Sequence, residues 1–460
     1  MASHFKDDSD MQNNAWIDRS LKAVWHPCTQ MKRHETFPLI PIAKGEGAWL
    51  YDFDGNRYLD SVSSWWVNLF GHGHPHIKAR IKAQLDQLEH VMLAGFTHAP
   101  VIELSERLSA RTGGALGHAF YGSDGASATE IALKMSFHYW RNTGKPEKTG
   151  FIHLSDSYHG ETIGSLSVTD VAIFKDTYAP LVKPSAEVPS PDARKAAPGE
   201  NADMQAAKAI AALEAHLAAH HATTAALIVE PLVQGAAGMA MYSAQYLRRA
   251  RELCDRYQVH LICDEIAVGF GRTGSFFACE QAGIWPDLIC LSKGITGGFL
   301  PLSVVMCTDS IYQAFYHDEV TKGFLHSHSY TGNPLACSAA LATLDLFDQD
   351  DVLAKNRATA DHINTLATAL KALPYVRDFR QAGSTGAGMI WAFEVDDAPA
   401  GFAQQLFAAG LKRELLLRPM GNTVYWMPPY CLSHEEADHL VSATFHALQD
   451  VMGQACGVIS

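Results

Sequence analysis

The chain has 460 residues, 47% of them hydrophobic, enough to bury a large core and to form two or more domains. A formal charge of −13 with no cluster of Lys or Arg argues against nucleic acid or an anionic membrane as a partner. Nine scattered cysteines without a CxxC pair argue against a disulfide framework, no apolar run approaches the ~18 residues of a membrane span, and the polar, acidic start MASHFKDDSDMQNN does not read as a signal peptide, so a cytoplasmic protein is expected.

In chain order, AWLYDFDGNRYLDSV (48–62) predicts a β-hairpin turning at Asp54-Gly55, a pair suited to a two-residue turn. Residues 76–92 and 100–112 have helical spacing. A strand at 118–122 runs into a helix over 125–141, and FIHLSDS (151–157) is a further strand leading into the loop YHGETIGS. The Pro-, Ala- and charge-rich segment 184–203 predicts an exposed loop. A helix over 204–219 precedes the strand ALIVEPL (226–232), and a helix over 244–258 leads into HLICDEIAV. Alternation of strand and helix across about 115–310 predicts an α/β fold, a mostly parallel sheet with helices on both faces. A long helix over 333–348 then opens a stretch of shorter mixed elements. The expected division is an N-terminal segment (1–62) contributing to a small domain, a large domain (63–334) and a C-terminal α+β domain (335–460).

Two strand ends carry the chemistry. HLICDEIAVGFGRTG (260–274) delivers Asp264, and DLICLSKGITGG (287–298) delivers Lys293, 29 residues later. Each is a short apolar run closing on a polar group and then glycine, the pattern of a buried parallel strand presenting a side chain at the sheet's carboxyl edge, where ligands bind. An amine and a carboxylate so placed suit pyridoxal phosphate, which takes a lysine for its Schiff base and an acid for its pyridinium nitrogen. The alternatives are an exposed strand-end lysine and a carboxylate capping a turn. An unpaired carboxylate inside LICDEIAV is costly, whereas a ring N–H⁺ would hold it ionised. Gly294, Gly297 and Gly298 leave room for a flat ligand, and Glu265 is the more expendable acid. The run Gly269-Phe270-Gly271-Arg272-Thr273-Gly274 imitates a dinucleotide fingerprint, but two acids precede its glycines and Arg272 interrupts them.

YGSDGASATEIALKM (121–135) reads as strand, turn and helix, with first-turn N–H groups at Gly125 and Ala126 that favour an anion. The alternative is an ordinary helix start capped by Ser123 or Asp124. Tyr158 is a candidate to stack on a pyridine ring, or a surface aromatic beside His159. Trp65 and Trp66 in SSWWVNLFGHGHP (63–75) cannot both fill one core face, and they read as a wall for an apolar substrate chain or as an interface. His72 and His74 lack the acid or cysteine cluster that completes a ligand set, so no metal is expected. Arg418, after three leucines in LLLRPMGNTVYWMPPY (415–430), is either a bidentate anchor for a substrate carboxylate or half of a structural ion pair.

Together, DEIAVGFGRTG, LSKGITGG and YHG resemble the class III (fold type I) pyridoxal-phosphate-dependent aminotransferases over nearly the whole chain. The resemblance implies that Lys293 bonds the cofactor, Asp264 partners its pyridine nitrogen, Tyr158 stacks on the ring and Glu230 in IVEP lies near it. It also implies that Gly125 and Ala126 donate to the phosphate, joined by Ser329 in HSHSYTGNPLAC (326–337) from the neighbouring subunit of a homodimer. WHPCTQM (25–31), SSWWVNLFGHGHP and RPMGNTVYWMPPY further resemble a branch that transfers an amino group to 8-amino-7-oxononanoate, usually from S-adenosylmethionine. By that resemblance Trp65 and Trp66 line the substrate chain, Arg418 holds its carboxylate, and Tyr158, Gly332 and Tyr425 lie near the substrate. Cys28 stands where the branch often has a substrate-contacting tyrosine, and Glu161 where it often has an aspartate meeting the donor's amino group. The alternative is a broader ω-amino acid or diamine transaminase using pyruvate or 2-oxoglutarate.

Overall fold

A computed structural model describes residues 12–37 and 39–457; most of the stretch read for a signal peptide, residues 1–11, lies outside the described residues. Strands β1 (Ile42–Glu46), β2 (Trp49–Asp52) and β3 (Arg57–Asp60) form an antiparallel meander. The expected hairpin is present as β2–β3, but it turns through residues 53–56 and not through Asp54-Gly55 alone. Asp52 organises the wider loop: its backbone N–H bonds Asn56 O, and its Oδ1 accepts from the N–H groups of Asp54 and Asn56.

The central sheet takes β4 (His118–Gly122), β5 (Gly150–Leu154), β6 (Ala186–Val188) and β7 (Thr224–Val229). After a short ribbon of β8 (Val233–Gln234) and β9 (Ala240–Met241) it takes β10 (His260–Asp264), β11 (Leu288–Leu291) and β12 (Ser303–Cys307). The order across the sheet is β4-β12-β11-β10-β7-β5-β6, parallel throughout except for β12, which runs against both neighbours. Successive residues of a strand point to opposite faces, and both faces here are covered. Leu227, Val229, Leu261 and Cys263 join one cluster, with Leu213, Leu217, Leu247 and Leu253 of two helices. Ala226, Ile228, Ile262 and Cys290 join another, with Ile131, Ala132 and Met135 of the helix Gly125–Asn142. That double burial is why these strands read as unbroken apolar runs.

Four expectations need correction. The segment 184–203 contains β6, paired in register with β5, and buries Ser190 and Asp192 beside it; hydrogen-bond completion at the sheet edge outweighs its loop-like composition. The helix expected over 76–92 spans Pro75–Leu85 only. The chain beyond it is engaged by another loop, His90 Nε2 bonding Ser329 O and Asn333 Nδ2 donating to Glu89 O. The strands expected over 151–157 and 226–232 stop at Leu154 and Val229, where the chain leaves the sheet toward the site described below.

A second, antiparallel sheet comprises β13 (Val376–Gln381), β14 (Trp391–Val395) and β16 (Thr423–Trp426). Strand β15 (Leu415–Leu416) instead pairs in parallel with β3, so the N-terminal hairpin and the C-terminal part share a sheet. They also share a core, in which Ala48 and Leu59 pack with Trp391, Phe393, Trp426 and Leu440. Among the described residues no helix is long and apolar enough to cross a membrane.

Candidate active site

The carboxyl ends of β5, β7, β10 and β11 lie at one edge of the sheet and gather the expected groups. Asp264, the last residue of β10, is 4% exposed; its Oδ1 accepts from the Ile266 N–H (3.0 Å), and its Oδ2 lies 2.7 Å from His159 Nδ1. His159 is itself buried, with an Nε2 that has no partner among the described residues. Glu230, one residue past β7, accepts from the N–H groups of Tyr158 (3.0 Å) and Gly235 (2.9 Å). Burial pushes its carboxyl up to about 7, opposed by the attraction of His159 and reinforced by Asp264. Glu265, by contrast, is spent on structure, accepting from the N–H groups of Ala278 and Cys279.

Lys293 follows β11 in a left-handed backbone conformation (φ 44°), a strained one for a residue with a side chain and most often found where function demands it. Its Nζ sits 4.4 Å over the ring of Trp66. Burial lowers its ammonium to about 8, against the pull of Asp264 and Glu230 that favours the proton. At pH 7.5 roughly a quarter of such amines are neutral, against roughly 0.1% at the ordinary value. Covalent capture of pyridoxal phosphate by the apoprotein, followed by visible absorbance, should therefore rise with pH and reach half its maximum near pH 8. Glu230→Gln removes a charge that holds the proton and should move that midpoint down; a midpoint near 10 would contradict the enclosure of Lys293.

Gly125 and Ala126 open the helix Gly125–Asn142. Asp124 caps it through Ser127 N–H (2.9 Å), leaving the N–H groups of Gly125 and Ala126 without a side-chain acceptor among the described residues. Both lie against the site. A Cβ on Gly125 would stand 3.0 Å from Ile266 Cγ2, and one on Gly160 would stand 2.6 Å from Ala126 Cβ. Only glycine brings the Tyr158–Gly160 turn this close, and Gly160 has φ 123°. The Tyr158 ring meets Phe174 at 5.4 Å, and its hydroxyl donates to Glu161 Oε1 (2.9 Å).

The tryptophan pair divides its labour. Trp66 is 7% exposed, donates from Nε1 to Tyr425 Oη (3.1 Å) and faces Lys293, whereas Trp65 is 45% exposed and lies 5.1 Å under the Arg418 guanidinium. Their backbone is unusual, with positive φ at Ser63, Ser64 and Trp66. Asp60 holds it by accepting from Ser64 N–H (2.6 Å), while Ser63 Oγ donates to Met427 O (2.8 Å). His72, weighed above as a metal ligand, pairs with the same Asp60 (3.0 Å). The ion-pair reading of Arg418 is not supported: among the described residues no carboxylate pairs with it. Partial burial and then the Glu161 charge raise the Cys28 thiol, while Arg418 lowers it.

Among the described residues, no contact within one chain brings Ser329 or Gly332 to Lys293. Ser329 is exposed, with its carbonyl accepting from His90, and the Gly332 carbonyl accepts from His98 Nε2 (2.8 Å). Sequence reasoning missed two contributors. His159, beside the singled-out Tyr158, orients Asp264. Arg272, inside the false dinucleotide motif, is 1% exposed and donates to Pro428 O (2.6 Å) and Asn68 O (3.0 Å), locking the Tyr425 and Trp66 segments together. The donor set fits pyridoxal phosphate: an enclosed amine, a buried carboxylate on the neighbouring strand and free N–H groups at a helix start.

A family model described as aminotransferase class-III matches residues 30–448. The adenosylmethionine-8-amino-7-oxononanoate aminotransferase of Helicobacter pylori is 47% identical over 96% of this chain and 98% of that protein. The crystal structure of the enzyme of that name from Methanocaldococcus jannaschii superposes with a TM-score of 0.88 at 33% identity, covering 95% of this chain and 99% of that one. A PLP-bound amine transaminase from an uncultivated Pseudomonas species superposes at 0.87 with 32% identity, covering 93% and 99%.

Proposed function

Because the chain belongs to the class-III aminotransferases, we propose that it moves an amino group from S-adenosylmethionine to 8-amino-7-oxononanoate, giving 7,8-diaminononanoate in biotin biosynthesis. It is a pyridoxal-phosphate-dependent enzyme. The observation that carries the substrate reading is the wall of Trp65, Trp66 and Tyr425 ending at Arg418, a guanidinium with no carboxylate of its own among the described residues. It suits an apolar chain with a terminal carboxylate. The purified enzyme should aminate 8-amino-7-oxononanoate with S-adenosylmethionine at least tenfold faster than it aminates pyruvate. Equal or faster turnover of pyruvate would favour a broader ω-transaminase.

Pyridoxal phosphate, when bound, supplies an aldehyde that carries the amino group and a ring that takes up the electron pair released at the reacting carbon. Lys293 Nζ would take the proton from that carbon and return it to the former aldehyde carbon of the cofactor, a task suited to an amine whose affinity for the proton is lowered toward neutrality. Asp264, braced by His159 and Ile266 N–H, would hold the proton on the ring nitrogen. Gly125 and Ala126 N–H, with Ser329 from a second copy of the chain, would bind the phosphate, and Tyr158 would cover the ring. Donor and acceptor take turns in one pocket.

The homodimer reading is supported by exposed apolar side chains near Ser329, where Met92, Phe96, Leu325 and Tyr330 are each more than half exposed and the Tyr330 ring lies 4.8 Å from His90. A cytoplasmic setting is supported by eight described cysteines that all stand unpaired. For Arg418→Ala we expect KM for the keto acid to rise roughly ten- to a hundredfold, with kcat within a few-fold of wild type. An unchanged KM in steady-state assays would remove Arg418 from the binding site.

A further inference from the structure

A second cluster of ligating groups lies on β5 and β6, at the sheet edge formed by β6. His153 and Glu187 are direct partners in the parallel pairing, so their side chains lie next to each other on one face. Asp170 closes in from the loop that follows Tyr158. One ring nitrogen of His153 and one oxygen from each carboxylate all fall within 4.8 Å of one another.

The hydrogen bonding settles which nitrogen is free. Ser185 Oγ donates its single hydrogen to Ser167 O, so toward His153 Nδ1, 2.8 Å away, it can only accept. The proton therefore sits on Nδ1, and Nε2 carries a lone pair. His153 is 1% exposed, and that Nε2 is buried with no partner among the described residues. An Nδ1 donor fixing the tautomer behind a bare Nε2 is how proteins present imidazole to a metal.

We propose that His153 Nε2, Asp170 and Glu187 bind a divalent transition-metal ion of the zinc class, at a site separate from that of amino transfer. One nitrogen and two carboxylates leave a fourth tetrahedral position for water, and the imidazole disfavours magnesium or calcium. Ligand atoms on such an ion sit roughly 3.3 Å apart for bonds of about 2.0 Å, so small side-chain rotations close the cluster. Asp170 Oδ2 is committed to Asp156 N–H (2.9 Å), leaving Oδ1, which Lys175 approaches only to 4.0 Å. The remaining nearby charges, Asp156 and Lys195, pair with each other (2.6 Å). Asp170 N–H also bonds Ser157 O (2.7 Å), so the ion would brace the loop bearing Tyr158.

The test is calorimetric titration of untagged, cofactor-loaded enzyme with Zn²⁺. Wild type should take up one ion per chain that Glu187→Gln and His153→Ala bind at least tenfold more weakly, each variant keeping its bound-cofactor absorbance. If His153→Ala fails to fold, Glu187→Gln on the exposed edge strand decides. Absence of that ion in wild type, or a loss under tenfold in Glu187→Gln, overturns the proposal.

Discussion

Lys293→Ala should bring turnover below roughly 10⁻³ of wild type and abolish the visible absorbance of lysine-bound cofactor. Two losses combine in this variant. The amine proposed to bond the cofactor disappears, and so does the group proposed to move the proton, from a site where it faces Trp66, Asp264 and Glu230. The fold should survive, because Ala adopts the same φ of 44° at no greater strain than Lys, and the neighbouring Gly294, Ile295 and Thr296 stay buried as before. Circular dichroism and single-turnover assays on the purified variant check this. Wild-type turnover with absorbance retained would move the catalytic amine elsewhere.

Asp264→Asn is the second large effect. The substitution keeps the size of the side chain, and Asn Oδ1 can still accept from Ile266 N–H, while its Nδ2 replaces the oxygen facing His159 Nδ1 and keeps that contact only as a donor to the unprotonated nitrogen. What it removes is a full negative charge in a buried setting, where the proposed pairing with the ring nitrogen would act with little screening. Loss of one preorganised electrostatic partner typically lowers kcat by roughly 10²–10³. We expect that drop in kcat with bound-cofactor absorbance retained. A variant within threefold of wild type would show that Asp264 serves only to hold His159 and the turn.

The two strand ends were legible because a strand buried on both faces tolerates only apolar residues, so the charges at Asp264 and Lys293 stood out against LIC and LICLS. Arg418 was legible as a candidate, but only the structure shows that no carboxylate among the described residues pairs with it and that it lies over Trp65. Less could be read where function depends on backbone geometry. The positive φ at Ser63, Ser64 and Trp66, which sends one tryptophan inward and the other to the surface, follows from anchoring by Asp60 and Met427, residues distant in sequence or in role. Arg272 was hidden by the glycines around it, whose close packing against Tyr430 and Thr385 has nothing to do with a nucleotide. Strand β6 was masked by prolines and alanines whose composition says loop, while pairing with β5 decides otherwise.

The most direct measurement is reductive trapping of the cofactor on the purified enzyme, followed by proteolysis and mass spectrometry. The added mass should appear on the peptide containing Lys293, at one per chain. A label on any other lysine, or none, would contradict the assignment of this strand end as the point of attachment.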